Sequence, residues 1–174
     1  MPAERTLEID VGAEIDRYFD DSSVPINAVP CIVLLLGGVA VGKTTIRKER
    51  YGTGYVVVDA ADIFISLSRG EYLPFPGPLE EPMELIGALV AEKAIQERRH
   101  IVTELIGAEF EPVKALIDSM KAIGYKVEII GLTCDLEESF RRSENRGDDN
   151  ISAYYAERYQ REWLRAAAVR SLRA

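Results

Sequence analysis

A glycine-rich turn followed by a lysine and a threonine gives the clearest chemical signal in this chain. Residues 37–44 read GGVAVGKT, which fits the pattern G-x-x-x-x-G-K-[ST]. Glycines let the backbone wrap closely enough to point successive N–H groups at phosphate oxygens, and the N-terminus of a following helix adds its dipole. The pattern predicts a P-loop, in which Lys43 contacts the β- and γ-phosphates of a nucleoside triphosphate and the Thr44 hydroxyl helps to hold Mg²⁺. The residues predicted to bind the nucleotide are Gly37, Gly38, Val39, Ala40, Val41, Gly42, Lys43, Thr44 and Thr45.

Carboxylates follow two apolar runs further along the chain. The run VVVDAAD contains Asp59 and Asp62, and the run HIVTE ends in Glu104. If these runs are parallel strands, their carboxyl ends lie at one edge of a sheet, beside the glycine-rich turn. We predict that Asp62 is the general base that accepts the proton of an attacking hydroxyl, and that Asp59 and Glu104 bind the acceptor. For Asp59, capping of the following helix is an equally good interpretation.

A third group of charged residues lies in the stretch FRRSENRGDDN. Arginine side chains placed near a transferring phosphoryl group stabilise the charge on its oxygens, and a lid that carries them also excludes water. We predict that Arg142 and Arg146, with Arg141 beside them, form such a lid. The alternative interpretation is a solvated charged helix face, as most runs of Arg and Glu are.

Short apolar runs alternate with helical patterns around these residues. Runs rich in Val and Ile suit strands that are buried on both faces, and their alternation with helices predicts βαβ units. The expected fold is therefore α/β, with a mainly parallel sheet of about four strands flanked by helices. The predicted strands are residues 31–36, 55–58, 100–103 and 126–133, and the predicted helices are residues 83–99, 112–123 and 152–172.

The domain organisation follows from the same pattern. Residues 1–30 are expected to form a helix (about residues 13–20) and an irregular lead-in, and residues 31–174 the P-loop domain. Residues 66–82 hold four prolines and are predicted to be a surface loop.

Composition narrows the classes of protein to consider. The 174 residues carry a net charge of −8, which argues against binding to nucleic acid. No apolar run is long enough to span a bilayer, so no membrane contact is expected. The two cysteines, Cys31 and Cys134, are expected to be buried thiols, as in a cytoplasmic protein.

Together these segments, in this order, resemble the zeta toxin family of P-loop kinases. The resemblance runs over about residues 31–165, from the P-loop through VVVDAADIF, HIVTE and MKAIGYKV to the arginine segment. It implies a P-loop NTPase fold and kinase activity. In that family an aspartate two residues before a phenylalanine is the catalytic base, which here is Asp62 before Phe64. A glutamate at the end of a strand, here Glu104, contacts a sugar nucleotide. The resemblance is also compatible with an antitoxin-like protein partner.

Two functions are compatible with these observations. The first is an ATP-dependent phosphotransferase that moves the γ-phosphate to a hydroxyl of a small molecule, with a sugar nucleotide as one candidate acceptor. The sequence has no N-K-x-D run for guanine and no apolar strand ending in Asp-Glu, which argues against a GTPase and a motor-type ATPase. The second is an ATP-binding toxin-like or regulatory module without productive transfer. The carboxylates beside the predicted P-loop favour the enzyme.

Overall fold

A computed structural model describes residues 9–26, 28–106, 109–145 and 150–155. Its sheet has four strands: β1 (Cys31–Gly37), β2 (Tyr55–Val58), β3 (His100–Leu105) and β4 (Lys126–Leu132). The helices are α1 (Val11–Arg17), α2 (Lys43–Tyr51), α3 (Ala60–Ser68), α4 (Glu80–Gln96), α5 (Phe110–Ala122), α6 (Leu136–Glu144) and α7 (Asn150–Tyr155), with a 3-10 turn at Gly77–Leu79.

The sheet is parallel throughout, with the strand order β2-β3-β1-β4. The predicted α/β fold with a parallel sheet of four strands is therefore confirmed. In the β1–β3 pair, Leu35 lies opposite Glu104, and in the β2–β3 pair Val58 lies opposite Thr103. This register brings the ends of β1, β2 and β3 to the same edge, so the P-loop after β1 lies beside the carboxylates that follow β2 and end β3.

Apolar side chains on both faces of β1 build two separate core clusters. Leu34 packs in the larger cluster with Ile86 of α4, whereas Val33 and Leu35 pack in the smaller cluster with Tyr51 of α2. Because side chains alternate between the two faces of a strand, a continuous apolar run such as CIVLLL fills both layers. The sheet is thus covered by helices on either side, and the P-loop leaves it from a rigid central strand.

The prediction for the proline-rich segment needs correction. The predicted surface loop over residues 66–82 is wrong in part, because α3 continues to Ser68 and α4 begins at Glu80. Between them Phe75 and Leu79 are buried, and the Phe75 ring lies 5.0 Å from that of Phe64. Pro74, Pro76 and Pro78 lie between the two helices and Pro82 lies in the first turn of α4, while the apolar residues Phe75 and Leu79 cover the core.

The remaining boundaries differ by a few residues. The first helix, predicted at about residues 13–20, is α1, Val11–Arg17. It packs against the larger core cluster through Val11 and Ile15. The predicted helix over residues 152–172 overlaps α7, and its part beyond residue 155 lies outside the described residues. Within the described residues, no helix is both long and apolar enough to cross a membrane.

Leu79 tests whether the proline-rich segment belongs to the core. Its side chain is 1% exposed, so Leu79→Ala should lower the free energy of unfolding by about 2–5 kcal/mol. The matched control is Tyr72→Ala in the same segment, where the side chain is 76% exposed and the change should stay within about 0.5 kcal/mol. Urea unfolding measures both values. Equal, small effects would contradict the packing described here.

Candidate active site

The P-loop has the backbone shape that anion binding requires. Ala40 and Gly42 have positive φ angles of 57° and 102°, and α2 begins at Lys43 directly after them. Left-handed residues at such a turn orient successive N–H groups towards one point, and the helix N-terminus adds its dipole. A Cβ at Gly37 would lie 2.6 Å from the carbonyl oxygen of Leu132, so only glycine fits where the turn passes β4.

Lys43 lies folded over this turn. Its Nζ donates hydrogen bonds to the carbonyl oxygens of Gly37 at 2.8 Å and Gly38 at 2.7 Å. The ammonium group is therefore held at the turn itself, where phosphate oxygens could replace the carbonyl oxygens as acceptors. Thr45, in contrast, is exposed in the first turn of α2.

A chain of polar contacts links the P-loop to the carboxylates. The Thr44 hydroxyl donates to Oε2 of Glu104 at 3.0 Å, and Oε1 of Glu104 accepts from Nε of Arg47 at 2.7 Å. Nη2 of Arg47 in turn lies 2.9 Å from Oδ2 of Asp62. The structure thus brings together three residues that the sequence predicted, Thr44, Asp62 and Glu104, through one that it missed.

The missed residue, Arg47, is a buried charge. Its side chain is only 5% exposed, and that of Glu104 is 9% exposed. Burial acts to lower the pKa of Arg47, but the hydrogen bond to Glu104 and the charge of Asp62 outweigh it, so the pKa is raised. The sequence signal was its position four residues after Lys43, which puts both side chains on one face of α2.

Asp59 caps α3, as one of its two interpretations predicted. Its Oδ1 accepts a hydrogen bond at 2.9 Å from the backbone N–H of Asp62 in the first turn of that helix. Burial raises the pKa of Asp59 to about 6, and the nearby charge of Glu104 adds to the shift. Asp59 also lines the cleft, so capping does not remove it from the site.

A cleft of about 830 Å³ extends from the P-loop across this edge of the sheet. The P-loop residues Val39, Ala40, Gly42, Lys43 and Thr44 line one end, and Asp59, Asp62 and Glu104 also line it. The apolar part of its wall comes from α3, α4, α5 and α7, and includes Ile63, Ile65, Met83, Val113, Ile151 and Tyr155. A cleft of this size, apolar with a few convergent polar groups, is typical of a small-molecule site.

The two described arginines of the predicted lid, Arg141 and Arg142, lie outside the cleft. Arg141 and Arg142 both pair with Glu138 on the exposed side of α6, and neither is among the described residues lining the cleft. The buried side of α6 does reach the P-loop, because the Ser139 hydroxyl donates to the carbonyl oxygen of Val39 at 2.6 Å. Arg146 lies outside the described residues, so the lid remains a prediction.

The donor set fits a magnesium ion that is held mainly by a nucleotide. In the part of the chain that the structure describes, no three His, Cys, Asp or Glu residues are grouped so as to hold a metal. Mg²⁺ in phosphate-transfer sites usually keeps few protein ligands and is bound largely by phosphate oxygens and water. The Thr44 hydroxyl at the start of α2, with the Glu104 carboxylate behind it, suits that arrangement.

The fold and the site define a P-loop phosphotransferase-like domain. The family model for Zeta toxin matches residues 79–173, more than half of the chain, and the chain therefore belongs to the Zeta toxin family. The predicted resemblance is thus confirmed. The P-loop lies outside the matched residues, so its geometry is a separate observation in favour of nucleotide binding.

Solved structures show the same fold at low sequence identity. A chain of the PezAT chromosomal toxin-antitoxin system of Streptococcus pneumoniae aligns with a TM-score of 0.58 and 17% identity, over 78% of this chain and 60% of that one. A chain of the AvrRxo1-ORF1:AvrRxo1-ORF2 complex with sulphate ions aligns with a TM-score of 0.58 and 16% identity, over 80% of this chain and 45% of that one.

A third structure extends this similarity to another assembly. A chain of the Pnkp1/Rnl/Hen1 RNA repair complex aligns with a TM-score of 0.53 and 19% identity, over 71% of this chain and 39% of that one. The chain thus spans 60% or less of the length of these three proteins. No curated protein sequence matches the chain.

The raised pKa of Asp59 predicts a pH dependence of stability. The folded chain keeps the Asp59 proton up to about pH 6, whereas in the unfolded chain the carboxyl has the ordinary aspartate pKa of 3.8. The resulting stabilisation is complete at low pH and is lost as the pH rises through about 6. Asp59→Asn keeps a capping side chain but cannot ionise.

The free energy of unfolding of Asp59→Asn, relative to wild type, should therefore improve between about pH 4 and about pH 7.5. Urea unfolding at the two pH values measures the difference, in which the other carboxylates cancel. A difference that stays constant, or that falls with rising pH, would contradict the raised pKa.

Proposed function

We propose that the chain is an ATP-dependent phosphotransferase that moves the γ-phosphate of ATP to a hydroxyl of a small molecule. The observation that carries the proposal is the chain of contacts from Thr44 through Glu104 and Arg47 to Asp62, since it ties the P-loop to a carboxylate that lines the cleft. A donor site and a general base in one cleft are the two parts that phosphoryl transfer to a hydroxyl requires.

On the donor side, the P-loop backbone and Lys43 would bind the phosphates. Thr44 would hold Mg²⁺, with Glu104 accepting the hydrogen bond of the Thr44 hydroxyl and so fixing its oxygen. When bound, magnesium ATP supplies the phosphoryl group and a cation beside it. Arg142 and Arg146 are proposed to add charge stabilisation when the predicted lid that carries them closes.

On the acceptor side, Asp62 would act as the base. Its Oδ2 contacts Arg47, while Oδ1 makes no hydrogen bond with the described residues. Oδ1 could therefore accept the proton of the acceptor hydroxyl as the hydroxyl oxygen attacks the γ-phosphorus. Both oxygens of Glu104 are engaged, by Thr44 and Arg47, so its proposed contact with the acceptor would use its remaining lone pairs.

The charges along the cleft bear on the nature of the acceptor. Among the described lining residues, the cations are Lys43, Arg47 and Lys48, all on α2. The walls from α4 and the start of α5 contribute Glu84 and Glu109 instead. Uncharged polyols and amino sugars would suit such walls, whereas the phosphates of a sugar nucleotide would need cations from elsewhere in the chain.

A second candidate function is an ATP-binding toxin-like or regulatory module without productive transfer. The observation that favours it is the pairing of Arg142 with Glu138, which leaves the predicted lid arginine outside the cleft. In either case an antitoxin-like protein is a proposed partner, because the PezAT structure is that of a toxin-antitoxin system.

Transfer of label from γ-³²P-ATP to a panel of acceptors separates the two candidates. The panel needs uncharged sugars and polyols, amino sugars, nucleosides and UDP-sugars, each with and without Mg²⁺. Lys43→Ala is the control, since it removes the cation held at the P-loop. A labelled product with wild type and none with Lys43→Ala supports the enzyme. ATP binding without any labelled product supports the module.

Asp62→Asn tests the assignment of the base. The variant keeps the shape of the side chain but cannot take a proton, so kcat should fall by about two to four orders of magnitude. The KM for ATP should change by less than about threefold, because the donor site is untouched. Steady-state kinetics with the acceptor found above measures both.

The control for this substitution is Asp118→Asn on the exposed side of α5, where Asp118 pairs with Lys114. Its kcat should equal that of wild type. A loss of kcat that falls on Asp59→Asn and spares Asp62→Asn would move the base to Asp59.

A further inference from the structure

The contacts of Arg47 point to a function that the proposed reaction does not yet include. The Arg47 bridge consists of Glu104, Arg47 and Asp62, joined at 2.7 Å and 2.9 Å. We propose that Arg47 is a positioning residue, which fixes the Asp62 carboxylate relative to the P-loop so that one of its oxygens can receive the acceptor's proton. This inference rests on the proposed function, since it concerns the same base.

The guanidinium group makes the two contacts through different nitrogens. Nε donates to Glu104 and Nη2 contacts Asp62, so the planar fork sets both the distance and the direction between the two carboxylates. Glu104 is nearly buried, whereas the Asp62 side chain is 32% exposed. The bridge is therefore anchored at its Glu104 end and presents its Asp62 end to the cleft.

Helix α2 explains why the position of Arg47 matters for transfer. The helix starts at Lys43, which is held at the P-loop, and Arg47 follows one turn later on the same face. One rigid element thus fixes both the cation at the phosphate site and the cation that holds the base. The contact with Asp62 therefore ties the first turn of α3 to α2 and to the phosphate site.

The charges around the bridge also support a positioning role for Arg47. Asp59, Asp62 and Glu104 all line one cleft, and Arg47 contacts two of them. Carboxylates that share one cleft repel one another when ionised, and Arg47 offsets this repulsion for Asp62 and Glu104. Arg47 also lines the cleft, but its Nε and Nη2 contact Glu104 and Asp62, so we assign it a positioning role behind the base.

Arg47→Lys tests the geometry while it keeps the charge. A lysine has one terminal nitrogen and cannot make the two separate contacts. We expect kcat to fall by about tenfold to a hundredfold, because a displacement of about 1 Å at a reacting group has that effect. The KM for ATP should change by less than about threefold. The matched control is Arg50→Gln, an exposed residue of α2, whose kcat should equal that of wild type.

A double-mutant cycle asks whether Arg47 acts through Asp62. In the Asp62→Asn background, Arg47→Lys should lower kcat by less than about threefold further, since the base it positions is already gone. A further loss as large as in wild type would overturn the proposal. The proposal would also be overturned if Arg47→Lys raised the KM for ATP about tenfold or more and left kcat unchanged, because Arg47 would then serve the donor site.

A second readout needs no turnover and separates the two proposals. Absence of transfer by wild type to any acceptor refutes the proposed function by itself. The coupling of Arg47 with Asp62 is then measured by urea unfolding of wild type, both single variants and the double variant. If the double variant loses less in its unfolding midpoint than the two single variants lose together, the bridge is supported. If the losses of the two single variants add up to that of the double variant, the bridge is overturned.

Discussion

Arg47 holds an ion pair with Glu104 and another with Asp62 in a nearly buried position. Taking such charges out of water costs several kcal/mol for each ion, and only good geometry and full pairing offset it. The rest of the site depends on meeting that condition, because Thr44 donates to the same Glu104 and Asp59 caps the helix that carries Asp62. Without the arginine, Asp62 loses its connection to Glu104 and so its link to the P-loop.

The parallel sheet places the P-loop and the carboxylates close enough together for these contacts. Since β1 and β3 are neighbours and end at the same edge, the P-loop and Glu104 are brought together by the backbone register alone. The two apolar layers then fix α2 and α4 on opposite faces, so that α2 extends its charged side chains along the sheet edge. The site is thus built on rigid elements, which is what precise positioning of a phosphoryl acceptor requires.

The sequence predicted what local chemistry determines. The glycines and lysine of the P-loop, the four strands and the closeness of Asp62 to Glu104 all follow from residue spacing and strand polarity. Arg47 was missed because the burial of a charge depends on which strands meet over it. Its spacing from Lys43 places both side chains on one face of α2 but does not show that this face is buried. The burial of Leu79 was missed for a related reason. Prolines predict a turn, but they do not show whether the residues of that turn pack on the core.

The most direct measurement is a crystal structure of the protein with MgADP and an aluminium fluoride mimic of the transferring phosphoryl group. We expect Nζ of Lys43 to leave the carbonyl oxygens of Gly37 and Gly38 for the phosphoryl oxygens. We also expect Arg47 to keep both of its carboxylate partners and Asp62 to face the mimic. A nucleotide bound away from the P-loop, or an Asp62 released from Arg47 and turned out of the cleft, would contradict the proposed roles of these residues.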